Sequence, residues 1–75
     1  MSKDKQIRNQ LVRERVIAFM DKYGSTTKFI AKKAGLSYPH FTLFVAGNIN
    51  ISHSSMNKVE RFIDGLENET KGAII

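Results

Sequence analysis

Between Ser37 and Leu43 the chain gathers side chains suited to reading a pattern of hydrogen-bond donors and acceptors. Ser37 and Thr42 bring hydroxyls, Tyr38 a phenol and His40 an imidazole, while Pro39 and Leu43 offer only apolar contact. Nothing here is arranged for covalent chemistry. No Ser/His/Asp or Cys/His arrangement, no phosphate-cradling glycine loop and no paired buried carboxylates are legible, so an enzyme is not expected. His40 and His53 stand far apart, with no cysteine and no suitably spaced acid to join them, so no metal site is expected. No cofactor and no small-molecule ligand are expected either. What remains is non-covalent recognition.

The flanking sequence explains how such a set would be held. Thr27 to Gly47, TKFIAKKAGLSYPHFTLFVAG, reads as a short helix, a glycine turn and a second short helix. Ala31 lets two helices cross closely, and Gly35 supplies a backbone angle open to few other residues. Ile30, Ala34 and Leu36 fill the space between the helices, with Phe41 and Phe44 turned inward at helical spacing. This is the spacing of a helix-turn-helix. Ser25 and Thr26 are N-cap candidates for the first of these helices, 27–34. Ser37 is the N-cap candidate for the next, about 38–46, where Pro39 falls in the first turn and its missing N–H costs little. Gly47 ends that helix.

Two outer helices frame the pair. Asp4 caps a helix over about 5–22, with Ile7, Leu11, Val12, Val16, Phe19, Met20 and Tyr23 as its apolar stripe and Arg8, Arg13, Glu14 and Arg15 mostly on solvated faces. Gly24 stops it. After the loop 47–51, Ser52 caps a fourth helix over about 53–64, with Met56, Val59, Phe62 and Ile63 inward and Gly65 as its end. Residues 67–75 read as a loose tail, because Asn68, Thr70 and Gly72 are poor helix material. The closing Ala73, Ile74 and Ile75 make a small apolar strand or patch. The expected fold is all-α, with one domain over 4–66.

Composition sets the bounds. At 75 residues and 41% hydrophobic there is room for one small core and no sheltered active site. Twelve Lys and Arg against seven Asp and Glu leave a net charge of +5, which suits a polyanion and also serves solubility. The absence of cysteine fits a reducing cytosol. No run approaches the length of a membrane span, and no signal peptide is visible.

Ala31, Gly35, Leu36, Ser37, Phe41, Phe44 and Gly47 match the helix-turn-helix core of the lambda-repressor-like family, which includes phage Cro and repressor proteins. Ile51, Ser52 and the stripe Met56, Val59, Phe62, Ile63 resemble that family's fourth helix, so the likeness covers about 12–66. It implies a compact domain of four helices, with a fifth as the variant. It also implies a transcriptional regulator of phage or mobile-element type, acting in the bacterial cytosol or nucleoid on double-stranded DNA. A homodimer on a palindromic site is the natural form, though the sequence does not demand it. The third helix would enter the major groove by its N-terminal end, with Ser37, Tyr38, Pro39, His40, Thr42 and Leu43 toward the bases.

Helix N-termini and basic side chains would meet the phosphates. The candidates are Ser25, Thr26, Thr27, Lys28, Lys32, Lys33, Asn48, Asn50 and Ser52, with His53 beside them. Plainer readings stand alongside: Ser37 as a cap alone, Lys32 and Lys33 as a solvated face, Pro39 as a helix starter. Relatives often carry Gln, Asn, Ser or Arg where this chain has Tyr38, Pro39, His40, Thr42 and Leu43. The apolar Tyr38, Pro39, Leu43 and Val45 therefore motivate a second reading: a protein-binding module on the same scaffold, such as an antirepressor or an inhibitor of a host nuclease.

Overall fold

A computed structural model gives the fold. It describes the backbone of residues 2–74 and the side chains of residues 3–68. The chain is all-helical: α1 (Ser2–Tyr23), α2 (Thr27–Ala34), α3 (Tyr38–Val45) and α4 (His53–Ile74). Helix α2 packs on α3 and α4, and α1 packs on α4 and α3, so the two long helices meet each other and each also meets one or both of the short ones. No strand occurs among the described residues.

One core holds the four elements. Val12, Val16 and Phe19 come from α1, Ile30, Ala31 and Ala34 from α2, Phe41 and Phe44 from α3, and Met56, Val59 and Ile63 from α4, with Ile51 from the loop between. The inward residues expected of α2 and α3 are there. So are Met56, Val59 and Ile63 of α4, with Phe62 half-buried beside them.

Helix α1 departs from its expected stripe. It starts at Ser2, so Asp4 lies within its first turn and not before it. Ile7 and Leu11 are 52% and 61% exposed, and Tyr23 is also exposed. Asn9 and Arg13 take inward positions instead, 0% and 9% exposed. The expectation of a solvated Arg13 is thus corrected. The reason is backbone demand: the loop before α4 carries peptide groups that apolar side chains cannot satisfy. Asn9 Nδ2 donates to the Ile51 carbonyl at 3.2 Å, and Asn9 Oδ1 accepts from the Ile51 N–H at 2.7 Å. No buried side-chain nitrogen or oxygen among the described residues lacks a partner.

Helix α4 departs too. It passes through Gly65 without a break and runs to Ile74, so Gly65 is not its end. The residues expected to form a loose tail continue the helix as far as Ile74, and Ile75 lies outside the described residues. Glycine tolerates a helix interior at about 1 kcal/mol against alanine, so Gly65 permits a stop without forcing one.

Candidate nucleic-acid interface

Both ends of the α2–α3 pair are built by the same backbone device. At the end of α2, Gly35 takes φ +76°, its N–H donates to the Lys32 carbonyl, and the Leu36 N–H donates to the Ala31 carbonyl at 2.8 Å. At the end of α3, Gly47 takes φ +87°, its N–H donates to the Phe44 carbonyl at 3.0 Å, and the Asn48 N–H donates to Leu43 at 2.9 Å. Each pair of bonds satisfies carbonyls that a helix end leaves open, and each needs a residue at positive φ. Leu36 then packs against the core and fixes where α3 begins.

Helix α3 is eight residues long, about 12 Å at 1.5 Å per residue. Phe41 and Phe44 anchor it from behind with no exposure, their ring centroids 5.7 Å apart. Ser37, Tyr38, Pro39, His40, Thr42 and Leu43 are all exposed. Val45 is not: it is half-buried against the core, so the outward apolar group reduces to Tyr38, Pro39 and Leu43. Ser37 stands at the N-cap position, but its hydroxyl makes no cap bond. Pro39 at N2 has no N–H to offer, and the His40 N–H at N3, the position capped in α2 and α4, is not taken by the Ser37 hydroxyl either. The expected cap is therefore only positional, and the hydroxyl is left for other partners. Thr42 is the reverse case: its hydroxyl donates to the Tyr38 carbonyl at 2.8 Å and keeps only acceptor capacity outward.

Among the residues expected near phosphates, Thr26 is the N-cap of α2, its hydroxyl accepting from the Phe29 N–H at 3.1 Å. Thr27 is half-buried and turns its hydroxyl to Met20 Sδ at 3.6 Å. Ser25 is half-buried, whereas Lys28, Lys32, Lys33, Asn48, Asn50 and Ser52 are exposed. Ser52 caps α4 as expected: it accepts from the Ser55 N–H at 3.1 Å and donates to the Ser55 hydroxyl.

Sequence reasoning missed what holds this face in place. Arg13 reaches from α1 under the end of α3. Its Nε donates to the Phe44 carbonyl at 2.5 Å, and Nη2 donates to the Ile49 carbonyl at 3.0 Å. Its Nη1 meets Gln10 Oε1 at 2.8 Å, Asn50 Oδ1 lies 3.4 Å from Nη2, and the guanidinium stacks 4.7 Å from the Phe44 ring centroid. One side chain thus ties the last turn of α3 to the loop leading into α4.

Charge is divided along the chain. From Lys22 to Val59 there is no Asp or Glu, while Lys22, Lys28, Lys32, Lys33 and Lys58 all lie in that span. This signal was legible in the sequence. The arginines of α1 do not join it. Arg8 bonds Glu60 and Asn57 and meets His53 Nδ1 at 2.7 Å. Arg15 pairs with Asp64, Glu60 and Glu67 on α4, and the hydrogen bond to Asp64 raises its pKa above the usual guanidinium range. Glu14 is not a partner of these arginines; it accepts from Gln10. Lys28, Lys32 and Lys33 of α2 are left without an acidic partner among the described residues, as an anionic partner would favour. No helix is long and apolar enough to cross a membrane, and no cluster able to hold a metal ion occurs among the described residues. No protein-family model matches this sequence, and no curated protein or solved structure is significantly similar to it.

Proposed function

We propose that the chain is a DNA-binding transcriptional regulator of the helix-turn-helix, lambda-repressor-like kind, with α3 reading the major groove. The observation that carries this is the coincidence of an outward α3 face with a span, Lys22 to Val59, free of acidic residues. A cylinder of α3's size fits a groove about 12 Å wide. Ser37, Tyr38 and His40 at its free N-terminal end would supply donors and acceptors to base edges, and Leu43 with Pro39 would meet thymine methyls. Lys28, Lys32, Lys33, Asn48 and the helix starts near Thr26 and Ser52 would hold phosphates, which set register but carry no sequence information. Two copies on a palindrome, in the cytosol or nucleoid of a bacterium, complete the proposal.

Selection from a random duplex pool at two salt concentrations tests it. One enriched motif is expected. Lys32→Ala should weaken binding to every sequence alike and lower the salt slope by about one. Uniform, salt-labile binding with no motif would leave a charge effect only. The exposed Tyr38 and Leu43, 47% and 45%, favour one rival, a protein-binding face on α3. If Leu43→Asp abolished binding to a protein partner while Lys32→Ala and Thr42→Ala left DNA binding unchanged, the rival would stand.

A further inference from the structure

Away from α3, two surfaces of this chain complement each other. The first is a groove between α2 and α4. Phe29, Phe62 and Leu66 form its floor, and Lys33, Lys58 and Arg61 its rim. Phe29 is 42% exposed although its ring meets Phe62 edge-on at 6.1 Å, and Lys33 Nζ sits 5.6 Å over the Phe29 ring. The groove holds about 470 Å³ over the aromatic floor and continues beside Lys58. No carboxylate among the described residues pairs with Lys33, Lys58 or Arg61, because Glu60 and Asp64 are taken by Arg8 and Arg15.

The second surface is the outer face of α1. Ile7, Leu11 and Ile17 are exposed there, interleaved with the exposed acids Asp4, Glu14 and Asp21. Helical spacing places Asp4, Ile7, Leu11, Glu14 and Asp21 along one stripe, with Lys3 at its edge and Lys22 in line with Asp4 at its far end, beyond the Ile7–Glu14 stretch. None of these acids is in an ion pair among the described residues.

We infer that the outer stripe of α1 of one copy docks into the α2–α4 groove of the next. The contact sets Ile7 and Leu11 on Phe29, Phe62 and Leu66, and Glu14 with Asp4 against Lys33, Lys58 and Arg61. A phosphate backbone would satisfy the rim but give nothing to three apolar side chains, so DNA is the weaker occupant. The two patches differ, so the contact runs head to tail: it closes a ring or extends along a row of copies. It needs neither DNA nor α3; Lys33 is the one residue it shares with the proposed phosphate contacts, and a test on DNA-free protein that leaves Lys33 unchanged keeps its fate separate from that of the proposed function.

Sedimentation velocity on the DNA-free protein tests this with two charge-reversed variants. Leu11→Lys with Glu14→Lys disables the stripe. Lys58→Glu with Arg61→Glu disables the groove, and Phe29→Glu serves as a second groove variant. All these positions are exposed, and unchanged circular dichroism and melting check that each variant folds. The wild type is expected to associate with rising concentration and to dissociate with added salt. Each variant alone is expected to stay monomeric. Mixing a stripe variant with a groove variant leaves one intact interface, so a one-to-one dimer that grows no further is expected. A wild type that stays monomeric up to roughly millimolar concentration, where only about −4 kcal/mol is needed to associate, would overturn the inference. So would association that both variants retain, or a mixture that stays monomeric.

Discussion

Replacing Arg13 by Met isolates what its guanidinium does, because methionine keeps an unbranched apolar stem in the same space. The lost bonds fall into two groups. Gln10 and Asn50 are exposed and will be rehydrated at little cost. The Phe44 carbonyl keeps the Gly47 N–H but loses its bond to a charged donor, and the Ile49 carbonyl loses its Arg13 donor. Hydrogen bonds to charged groups are worth about 1.5–3 kcal/mol each, and the stacking on Phe44 about 0.5–1 kcal/mol more. Rehydration of the half-exposed loop returns some of this, leaving a loss of about 3 kcal/mol. A domain of this length has only about 4–11 kcal/mol in total.

At about 4–8 °C per kcal/mol, Tm should fall by about 12–24 °C in a thermal melt followed by circular dichroism. Hydrogen exchange should quicken first at the amides of Asn48 and Ile51, the loop that Arg13 pins. Arg13→Lys should recover less than half of the loss, since an ammonium cannot span the same fork. The comparison variant is Arg15→Met, whose partners lie at the surface. If Arg13→Met cost less than about 1 kcal/mol, or no more than Arg15→Met, the guanidinium would not be what holds the end of α3.

Gly65→Ala should stabilise the fold by about 0.5–1 kcal/mol in urea denaturation, because Gly65 sits inside α4 with no positive φ and nothing within 4 Å of an added Cβ; a loss of stability would mean that the helix ends there after all. Gly35→Ala should cost about 1–2 kcal/mol purely from backbone strain, since φ is +76° while the space around it is open, and Gly35→Asn should cost less by the same melt. Arg15→Gln should cost under about 1 kcal/mol and less still at 1 M salt, as expected of half-exposed ion pairs. Arg15's raised pKa favours its charged form, so its contribution is fully present at lower pH and is lost only in strong alkali; a stability step between pH 6 and 9 that this variant removes would contradict that assignment.

Local rules carried the middle of the chain. The bounds of α2 and the start of α3 follow from Thr26, Gly35 and Pro39, whose backbone preferences hold whatever surrounds them. The inward positions of Ile30, Phe41, Phe44, Met56, Val59 and Ile63 follow from periodicity, because an apolar face must be buried somewhere. Tertiary structure decided the rest. Leu11 faces outward and Arg13 inward because the loop 47–51 needed donors for its carbonyls, and no reading of α1 alone reveals which loop will lie against it. Arg8 and Arg15 face the carboxylates of α4 for the same kind of reason, some fifty positions along the chain. Gly65 shows the limit from the other side: a glycine is only permission for a helix to stop, and α4 continues through it.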